Sequence, residues 1–311
     1  ALSPDYLQVF QESLISFFGG MLYILESSTA SNLMKVDPSN SGQSGVVYQK
    51  HLGTNMNPVD IKFISEHKAY ISCENNPSVL IVDPYTGTVT GAINITRFAY
   101  KADGVADETN PHAGRMVLEN GLLYVGLQRL DSNYQPGAKS LILVINTVND
   151  SILDTIQLNS KNIQDLKIVD GKMYASCPGE AYGTIGDGDI ESVDLSSRSV
   201  ATIIDETALH GNPNAIIHKT GSLYYVQTYI AWGSEKIFEV DFSTGRVVDS
   251  IPDVIDAFGG VFYDEEDSLL FVGERASSAA GIKVFKNNKL IHGPITNSKS
   301  LPPYGFEMAT P

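Results

Sequence analysis

The stretch YISCENNPSVLIVDPYTGTVTGAINI, residues 70–95, decides the fold of this chain. It holds three short apolar runs, the second of which ends at Asp83. An Asn-Asn-Pro break separates the first two runs, and a Thr-Gly turn separates the second from the third. Apolar runs with Pro, Asn and Gly between them are typical of short antiparallel strands joined by tight turns. The stretch therefore predicts a small antiparallel sheet.

The same pattern returns along the whole chain. The positions equivalent to Tyr70 are Tyr23, Tyr124, Tyr174, Tyr225 and Phe271. Successive members are 47, 54, 50, 51 and 46 residues apart. Each unit also has a β-rich run before its aromatic residue, so it contains four short strands. Four-stranded units repeated at this spacing indicate an all-β propeller.

Six complete units fit the chain, and we expect a single propeller domain over residues 1–311 with six four-stranded blades. The repeat units cover residues 13–52, 57–97, 110–158, 162–205, 212–252 and 256–293, and residues 294–311 form a closing segment. Either DYLQVF (5–10) or LPPYGFEMA (301–309) is expected to supply a terminal strand that closes the ring and removes exposed sheet edges. Seven blades are the alternative, which would require a whole blade from the residues left at the two ends.

Two sets of equivalent positions in the repeat, which we call columns, are expected to be structural. The aromatic column, Tyr70 and its equivalents, suits packing between neighbouring blades, since aromatic side chains fill sheet interfaces well. A second column ends the third strand of five units with Asp37, Asp83, Asn146, Asp194 and Asp241. Asp or Asn at the first position of a type I turn hydrogen-bonds to its own backbone, so this column predicts turns rather than catalysis.

The repeat in residues 70–95 resembles that of the YVTN-type propellers, the family of surface-layer and YncE-like proteins. Their repeat likewise runs Tyr-Val, a short Asn or Ser loop, Val-x-Val-Ile-Asp, a turn and Val-x-x-Ile. The segments LYVGLQRLD and EAYGTIGDGDIESVD are also similar to uncharacterised bacterial secreted proteins and lipoproteins. The resemblance implies an extracytoplasmic bacterial protein, in the periplasm or at the cell surface. Its mature form would lack a signal sequence, and a lipid anchor at the removed N terminus is an open alternative. The period is longer than is usual in that family, and its common blade number is seven.

Charge and cysteine content exclude several function classes. The chain has 21 basic and 36 acidic side chains, for a net charge of -15. Nucleic acid is not an expected partner, because phosphate binding requires clustered Lys and Arg. No membrane span is expected, since no apolar run approaches the ~20 residues that one needs. Cys73 and Cys177 occupy one column of non-adjacent units, too far apart for a disulfide, and we expect buried thiols.

Two units have enlarged loops. From the aromatic column to the end of the third strand, the six units take 14, 13, 22, 20, 16 and 15 residues. The extra residues lie in 128–140 and 178–189, and the longest connection between units, 97–110, leads into the third. These loops open on one face of a propeller and predict a binding face, because loops on rigid scaffolds carry function. The candidate binding residues are His112, Arg129, Asp131, Tyr134, Glu180, Tyr182, Tyr229, Trp232, Glu274 and Arg275.

The enlarged loops also suggest a metal. The motif DGDIE places Asp187, Asp189 and Glu191 on a Gly-containing loop, which suits the several oxygen ligands of calcium. A weaker acidic group is formed by Asp103, Asp107 and Glu108. The alternative for both groups is a solvated acidic turn. Calcium is the one cofactor that the sequence suggests.

Two functions remain after the motifs are examined. No nucleophile, dinucleotide or phosphate-loop motif occurs, which favours a non-enzymatic binding or scaffold protein that recognises a protein, peptide or glycan. The alternative is a calcium-dependent hydrolase similar to the lactonases, with its metal at the channel mouth. The candidate residues of that site are Glu26, Asp60, Asn110 and Asn212, with Asp165 or His112 as base. Trp232 could stack on a sugar or a partner side chain, or simply pack in its loop.

Overall fold

A computed structural model describes residues 7, 9, 13–40, 42–101, 109–180, 185–296 and 305–306. Within these residues, 24 strands form six four-stranded sheets, and each sheet uses strands that are consecutive in sequence. The pairs are antiparallel, so each sheet is a simple up-and-down meander. The fold is an all-β six-bladed propeller, and the prediction of six rather than seven blades is confirmed.

The first three blades contain strands β1 to β12. Blade one is formed by β1 (Leu14–Phe18), β2 (Met21–Glu26), β3 (Asn32–Val36) and β4 (Val46–His51). Blade two is formed by β5 (Pro58–Ser65), β6 (Lys68–Cys73), β7 (Ser78–Asp83) and β8 (Thr88–Asn94). Blade three is formed by β9 (Ala113–Glu119), β10 (Leu122–Leu127), β11 (Lys139–Asn146) and β12 (Ser151–Lys161).

The last three blades contain strands β13 to β24. Blade four is formed by β13 (Asp165–Val169), β14 (Lys172–Cys177), β15 (Asp189–Asp194) and β16 (Val200–Asp205), followed by the single-turn helix α1 (Glu206–Leu209). Blade five is formed by β17 (Asn212–Thr220), β18 (Leu223–Ala231), β19 (Ser234–Asp241) and β20 (Arg246–Ser250). Blade six is formed by β21 (Val261–Asp264), β22 (Leu269–Glu274), β23 (Gly281–Lys286) and β24 (Lys289–Ile295).

The chain divides into two compact units. The N-terminal unit ends at Leu158, within β12, and the C-terminal unit runs from Asn159 to Phe306. That one domain spans the whole chain stays a prediction. The segments expected to close the ring, 5–10 and 301–309, lie almost entirely outside the described residues.

The apolar cores lie between consecutive blades. In the N-terminal unit, Leu25 of blade one packs in one cluster with Ile61 and Ile71 of blade two. In the C-terminal unit, the rings of Tyr174 and Tyr224 are 5.1 Å apart and join blades four and five. Burial of these side chains between sheets is the main source of stability for such a fold.

Tyrosines of the aromatic column also fasten one blade to an outer turn of the next. The Tyr23 hydroxyl donates to the Pro84 carbonyl at 3.4 Å. The Tyr70 hydroxyl donates to the Asp150 carboxylate, and burial raises the pKa of Tyr70. In the C-terminal unit, the Tyr225 hydroxyl donates to Asn288 Oδ1 at 2.8 Å. The column therefore packs between blades, as its residue type predicts.

The Asp column forms turns. Asp194 Oδ1 accepts the backbone N–H groups of Ser196 at 2.9 Å and Ser197 at 2.7 Å. Hydrogen bonds from these two serines hold the pKa of Asp194 well below its ordinary value. Asp241 accepts the Ser243 N–H at 2.9 Å and its pKa falls to about 2, chiefly through the Ser243 hydroxyl. These carboxylates are structural.

Both cysteines are buried free thiols, one in each unit. Burial raises the pKa of Cys73 to about 12, and burial likewise raises that of Cys177. A thiol with so high a pKa carries almost no thiolate near neutral pH and is a poor nucleophile. Separately, no helix in the part of the chain that the structure describes is long and apolar enough to cross a membrane.

Candidate functional site

The enlarged loop of blade three, residues 128–140, is ordered by its own hydrogen bonds. Asp131 Oδ1 accepts the backbone N–H groups of Asn133 at 2.8 Å and Gln135 at 2.9 Å. The Asp131 N–H donates in turn to the Gln135 carbonyl at 2.8 Å. Leu130 and Pro136 form an isolated β-bridge across the base. The insertion is therefore a closed and well-defined turn.

Arg129 anchors the base of this loop. Its Nε donates to the Phe98 carbonyl at 3.1 Å, and its Nη1 donates to the Lys139 carbonyl at 2.9 Å. Burial lowers the pKa of Arg129 from its ordinary value. Gly137 lies so close to the ring of Tyr100 that a Cβ there would approach the ring to 2.2 Å. The loop is thus packed against the connection that enters blade three.

The side chain of Tyr134 is held in one orientation by its contacts but is exposed to solvent. Its hydroxyl donates to Asn75 Oδ1 in blade two at 3.1 Å. Its ring meets that of His112 edge-on, with 5.3 Å between centroids. His112 is buried, whereas Tyr134 is 52% exposed. Tyr134 therefore presents a rigid aromatic surface above a buried histidine.

Asn75, the hydrogen-bond partner of Tyr134, lies next to further asparagines in the N-terminal unit. Asn75 Nδ2 is 3.5 Å from Asn55 Oδ1, the outer limit for a hydrogen bond. The Glu74 carboxylate accepts from Asn57 Nδ2 at 2.5 Å, and the Glu74 carbonyl accepts from Asn110 Nδ2 at 2.6 Å. Burial raises the pKa of Glu74 above its ordinary value. We call the following surface the asparagine face: Asn55, Asn57, Asn75, Asn76, Asn110 and Tyr134.

Five residues at or beside this surface have left-handed backbone conformations. Asn55 and Asn57 have left-handed φ values of 53° and 47°. His112, Arg129 and Tyr134 have φ values of 54°, 58° and 59°. Asn tolerates this region, but for other residues with a Cβ it costs roughly 1–2 kcal/mol each. Strained residues of this kind cluster at functional sites.

Two proposed hydrolase residues join neighbouring blades instead. Asp60 Oδ2 accepts the Met116 N–H at 2.8 Å, which links the first strands of blades two and three. Asp165 Oδ2 accepts the Ile216 N–H at 2.8 Å, which links the first strands of blades four and five. Both carboxylates are buried. The two positions carry one repeated structural device.

The remaining hydrolase candidates also have structural partners. Glu26 Oε2 accepts Asn32 Nδ2 at 2.7 Å and Gln49 Nε2 at 2.6 Å. Asn212 Nδ2 donates to the Pro178 carbonyl at 3.1 Å. Each group is thus tied into the scaffold of its own unit, and the hydrolase stays an untested alternative.

The three residues of the DGDIE motif point to different partners. Asp187 Oδ1 accepts the Glu180 N–H at 3.0 Å. Asp189 is buried on β15, and its Oδ2 accepts the Thr202 hydroxyl at 2.6 Å. Glu191, two residues further along the same strand, is completely buried. Of the described acidic residues of this loop, Glu180 and Asp187 are therefore the accessible ones.

Glu191 holds the end of β12. Its carboxylate accepts the Asn159 N–H at 3.0 Å and the Ser160 N–H at 2.7 Å. Burial, and then the neighbouring Asp189 carboxylate, raise the pKa of Glu191 to about 7. Glu191 is therefore a buried titratable group with a structural role.

No group of three or more His, Cys, Asp or Glu side chains is placed to hold a metal ion within the residues that the structure covers. Asp103, Asp107, Glu108 and Tyr182 lie outside those residues. The calcium sites therefore stay predictions.

A second exposed aromatic group lies in the C-terminal unit. Trp232, in the turn between β18 and β19, is 85% exposed. The Arg275 guanidinium carbon lies 5.1 Å from the centre of the Trp232 ring and 3.9 Å from that of Phe258. Arg275 Nε donates to Asp256 Oδ2 at 2.8 Å. This arrangement orients the arginine between two aromatic rings.

Glu274 lies under this group and does not face solvent. It is completely buried, and its carboxylate accepts the N–H groups of Ile255 and Asp256, both at 2.8 Å. It also accepts the Ala276 N–H at 3.0 Å and pairs with Lys283 Nζ at 3.0 Å. Glu274 therefore supports the loops of blade six. Tyr229, another candidate, is half-buried on β18.

The structure brings the predicted binding residues together in two groups. His112, Arg129, Asp131 and Tyr134 meet in the N-terminal unit, and Trp232, Glu274 and Arg275 meet in the C-terminal unit. Glu180 is exposed and pairs with Lys161 at 3.4 Å. The enlarged loops of blades three and four belong to different units.

Of the asparagines of this face, Asn110 is a sequence-based candidate for the hydrolase site, whereas Asn55, Asn57, Asn75 and Asn76 are absent from the sequence-based candidates. Their signal is present in the sequence as Asn-Met-Asn-Pro at 55–58 and Asn-Asn-Pro at 75–77. Among non-glycine residues, Asn adopts the left-handed backbone conformation most readily, and its side chain can still form hydrogen bonds with neighbouring groups.

The comparisons with known proteins extend only to the fold. No family model and no curated protein matches the chain. Among solved structures, 1017 chains match. One is the Pan2 WD40 domain of Neurospora crassa, which is 10% identical, with a TM-score of 0.57 over 84% of this chain and 71% of that one. The chain thus has WD40-like structural neighbours.

Proposed function

We propose that this protein is a non-enzymatic binding scaffold that recognises a protein, peptide or glycan through its enlarged loops, above all that of blade three. The observation that carries the proposal is the backbone strain at His112, Arg129 and Tyr134. These residues lie in one hydrogen-bonded surface of the N-terminal unit, and the ring of Tyr134 is open to solvent.

Ordered loops favour binding because little conformational entropy is lost when a partner docks. The ring of Tyr134 is held at its hydroxyl by Asn75 and at its edge by His112. Tyrosine supplies a large contact area with few rotatable bonds, and Asn supplies adaptable hydrogen bonds, which is the chemistry of binding loops in general. Propellers serve many functions, so the fold alone would not choose among them.

A periplasmic or cell-surface location in bacteria, with membership of the YVTN-type proteins, forms part of the same proposal. The resemblance of the repeat in residues 70–95 supports it. Fractionation of cells that make the native protein, followed by immunoblotting, tests the location. Recovery of the protein with cytoplasmic markers would contradict it.

Binding to a glycan array and to a phage-displayed peptide library tests the function. We expect selected ligands to bind the Tyr134→Ala variant at least about tenfold more weakly, the effect of a moderate hot spot. The matched control is Trp232→Ala, which removes an exposed aromatic side chain from the C-terminal unit. Ligands that bind both variants as well as the unchanged protein would contradict a site at blade three.

A further inference from the structure

We infer that the asparagine face binds a neutral, hydroxyl-rich ligand, namely an oligosaccharide. This inference rests on the proposed function and names its ligand class. Four features of the N-terminal unit support it: the polar groups offered to solvent, the engagement of the charged groups, the ring of Tyr134 and the scarcity of other exposed apolar side chains.

The polar groups of the face are mainly carboxamides. Asn55 is exposed, and Asn75 and Asn76 are half-buried. A carboxamide carries two donor hydrogens and an oxygen acceptor, and a hydroxyl both donates and accepts. Asn75 uses its oxygen for Tyr134 and one hydrogen for Asn55, which leaves a second hydrogen to donate. Carboxamides thus match the mixed donor and acceptor pattern of sugar hydroxyls.

Among the residues that the structure describes, the charged groups that bond to this loop and to its asparagines are engaged by the scaffold. Arg129 donates to two backbone carbonyls, and Asp131 accepts two backbone N–H groups. The Glu74 carboxylate accepts from Asn57. A charged ligand would need an available opposite charge, since burying an unpaired ion is costly. The net charge of -15 further opposes an anionic ligand. These features favour a neutral ligand.

Tyr134 gives the face one flat apolar surface. Half of its side chain is exposed, and its orientation is fixed by Asn75 and His112. An aromatic side chain with a polar tip can pack its ring against C–H groups while its hydroxyl remains hydrogen-bonded. The face of a sugar ring offers such C–H groups next to hydroxyls, which suits a tyrosine whose hydroxyl is bonded to an asparagine.

A folded protein partner fits this face less well. Protein interfaces depend on a central cluster of aromatic and other large side chains. In the described loops of the asparagine face, Tyr134 is the only large apolar side chain that is exposed. One aromatic ring among carboxamides is enough for one or two sugar rings but provides little anchoring for a protein.

Calorimetry with defined hexasaccharides tests the inference on the whole protein. The neutral probes are cellohexaose, maltohexaose, xylohexaose and mannohexaose, and the charged probe is the hexamer of galacturonic acid. We expect at least one neutral probe to bind, and Tyr134→Ala to weaken it at least about tenfold. Tyr134→Phe, which keeps the ring, should weaken it less than Tyr134→Ala does. Asn75→Asp, which has the same shape, should weaken it about tenfold because it removes the donor.

The outcomes separate this inference from the proposed function. Tyr85→Ala, which removes an exposed aromatic side chain from the turn between β7 and β8, should leave hexasaccharide binding unchanged, and circular dichroism should show that all variants are folded. Binding of the galacturonic acid hexamer alone overturns the neutral ligand class. Selected peptides that lose binding in Tyr134→Ala, with no hexasaccharide bound, overturn the inference but keep the proposed function. Ligands unaffected by Tyr134→Ala overturn both.

Discussion

Glu26 in the N-terminal unit and Glu274 in the C-terminal unit occupy the same place, the last residue of the second strand of a blade. Both are buried, but their partners differ in kind. Glu26 is held by the side-chain amides of Asn32 and Gln49. Glu274 is held by three backbone N–H groups and a lysine.

The difference shows two ways to fix loops on the same repeat. In the C-terminal unit, buried carboxylates bind backbone N–H groups directly, as Glu191 and Glu206 also do. In the N-terminal unit, left-handed turns and carboxamides set the loops, so few charges are buried at the surface that is offered to a ligand. The C-terminal unit should therefore be the more sensitive to charge, and the N-terminal unit the better suited to binding.

The largest expected effect is that of Glu274→Ala. It leaves Lys283 buried without its carboxylate and removes the acceptor of three N–H groups, which should cost about 3–5 kcal/mol of unfolding free energy. Glu26→Ala loses the two neutral side-chain donors of Asn32 and Gln49 and should cost about 1–3 kcal/mol. Urea unfolding of both variants measures the two values. Equal losses of unfolding free energy in the two variants would contradict the proposed difference between the two units.

The next effect is a dependence of stability on pH that comes from Glu191. Its pKa is about 7 in the folded protein against an ordinary 4.5, so between these values the folded state binds more protons than the unfolded state. Its stabilising contribution is complete below pH ~4.5 and is lost as the pH rises through ~7, by on the order of 3 kcal/mol.

Glu191→Gln isolates this contribution. Burial also raises the pKa values of Glu206 and Glu235, so these two groups should add to the loss of stability of the unmodified protein as the pH rises. The difference between the unmodified protein and Glu191→Gln should shrink or change sign from pH 5 to pH 8. Unfolding curves that run parallel over that range would show that Glu191 does not titrate there.

Asp60→Asn and Asp165→Asn should have smaller and equal effects. Each substitution turns an acceptor of a buried N–H group into a carboxamide and should cost about 1–3 kcal/mol. Because the two aspartates make the same link in different units, thermal unfolding should give matched losses. A loss of stability confined to one variant would show that the two hydrogen bonds differ in strength despite their shared geometry.

Calcium should have the smallest effect. The Asp187, Asp189 and Glu191 carboxylates each accept hydrogen bonds from the scaffold, so we expect millimolar calcium to shift the unfolding midpoint no more than magnesium does. A ligand at ~100 times its dissociation constant adds about 2.7 kcal/mol, which a melting curve detects readily. A calcium-specific rise that Asp187→Asn removes would establish the loop site. A rise that persists in that variant, together with lactone hydrolysis, would support the hydrolase.

The sequence predicts the parts of this molecule that depend on local chemistry. Tyr70 and its equivalents mark the repeat, and the Asp column marks turns because an Asp side chain bonds to the backbone two residues on. The asparagine face could not be predicted in the same way, because Asn55, Asn75 and Tyr134 meet only after blades two and three have packed.

The burial of Glu274 could not be predicted from the sequence either. A glutamate at the end of a strand in a propeller suggests a solvated or ligand-binding group. Its actual environment depends on N–H groups at Ile255 and Asp256, which come from the connection before the blade. Residue type and spacing do not show where such donors will be.

Each tyrosine hydroxyl that reaches from one blade to a turn of the next bonds to an acceptor that lies later in the sequence. Tyr23 and Tyr70 find their acceptors 61 and 80 residues later in the sequence, and Tyr225 finds its acceptor 63 residues later. During synthesis from the N terminus, each of these phenols can form its hydrogen bond only after the following blade has left the ribosome. A nascent chain that stalls between blades therefore carries one aromatic residue without its acceptor at its growing end, and release of the following blade satisfies it.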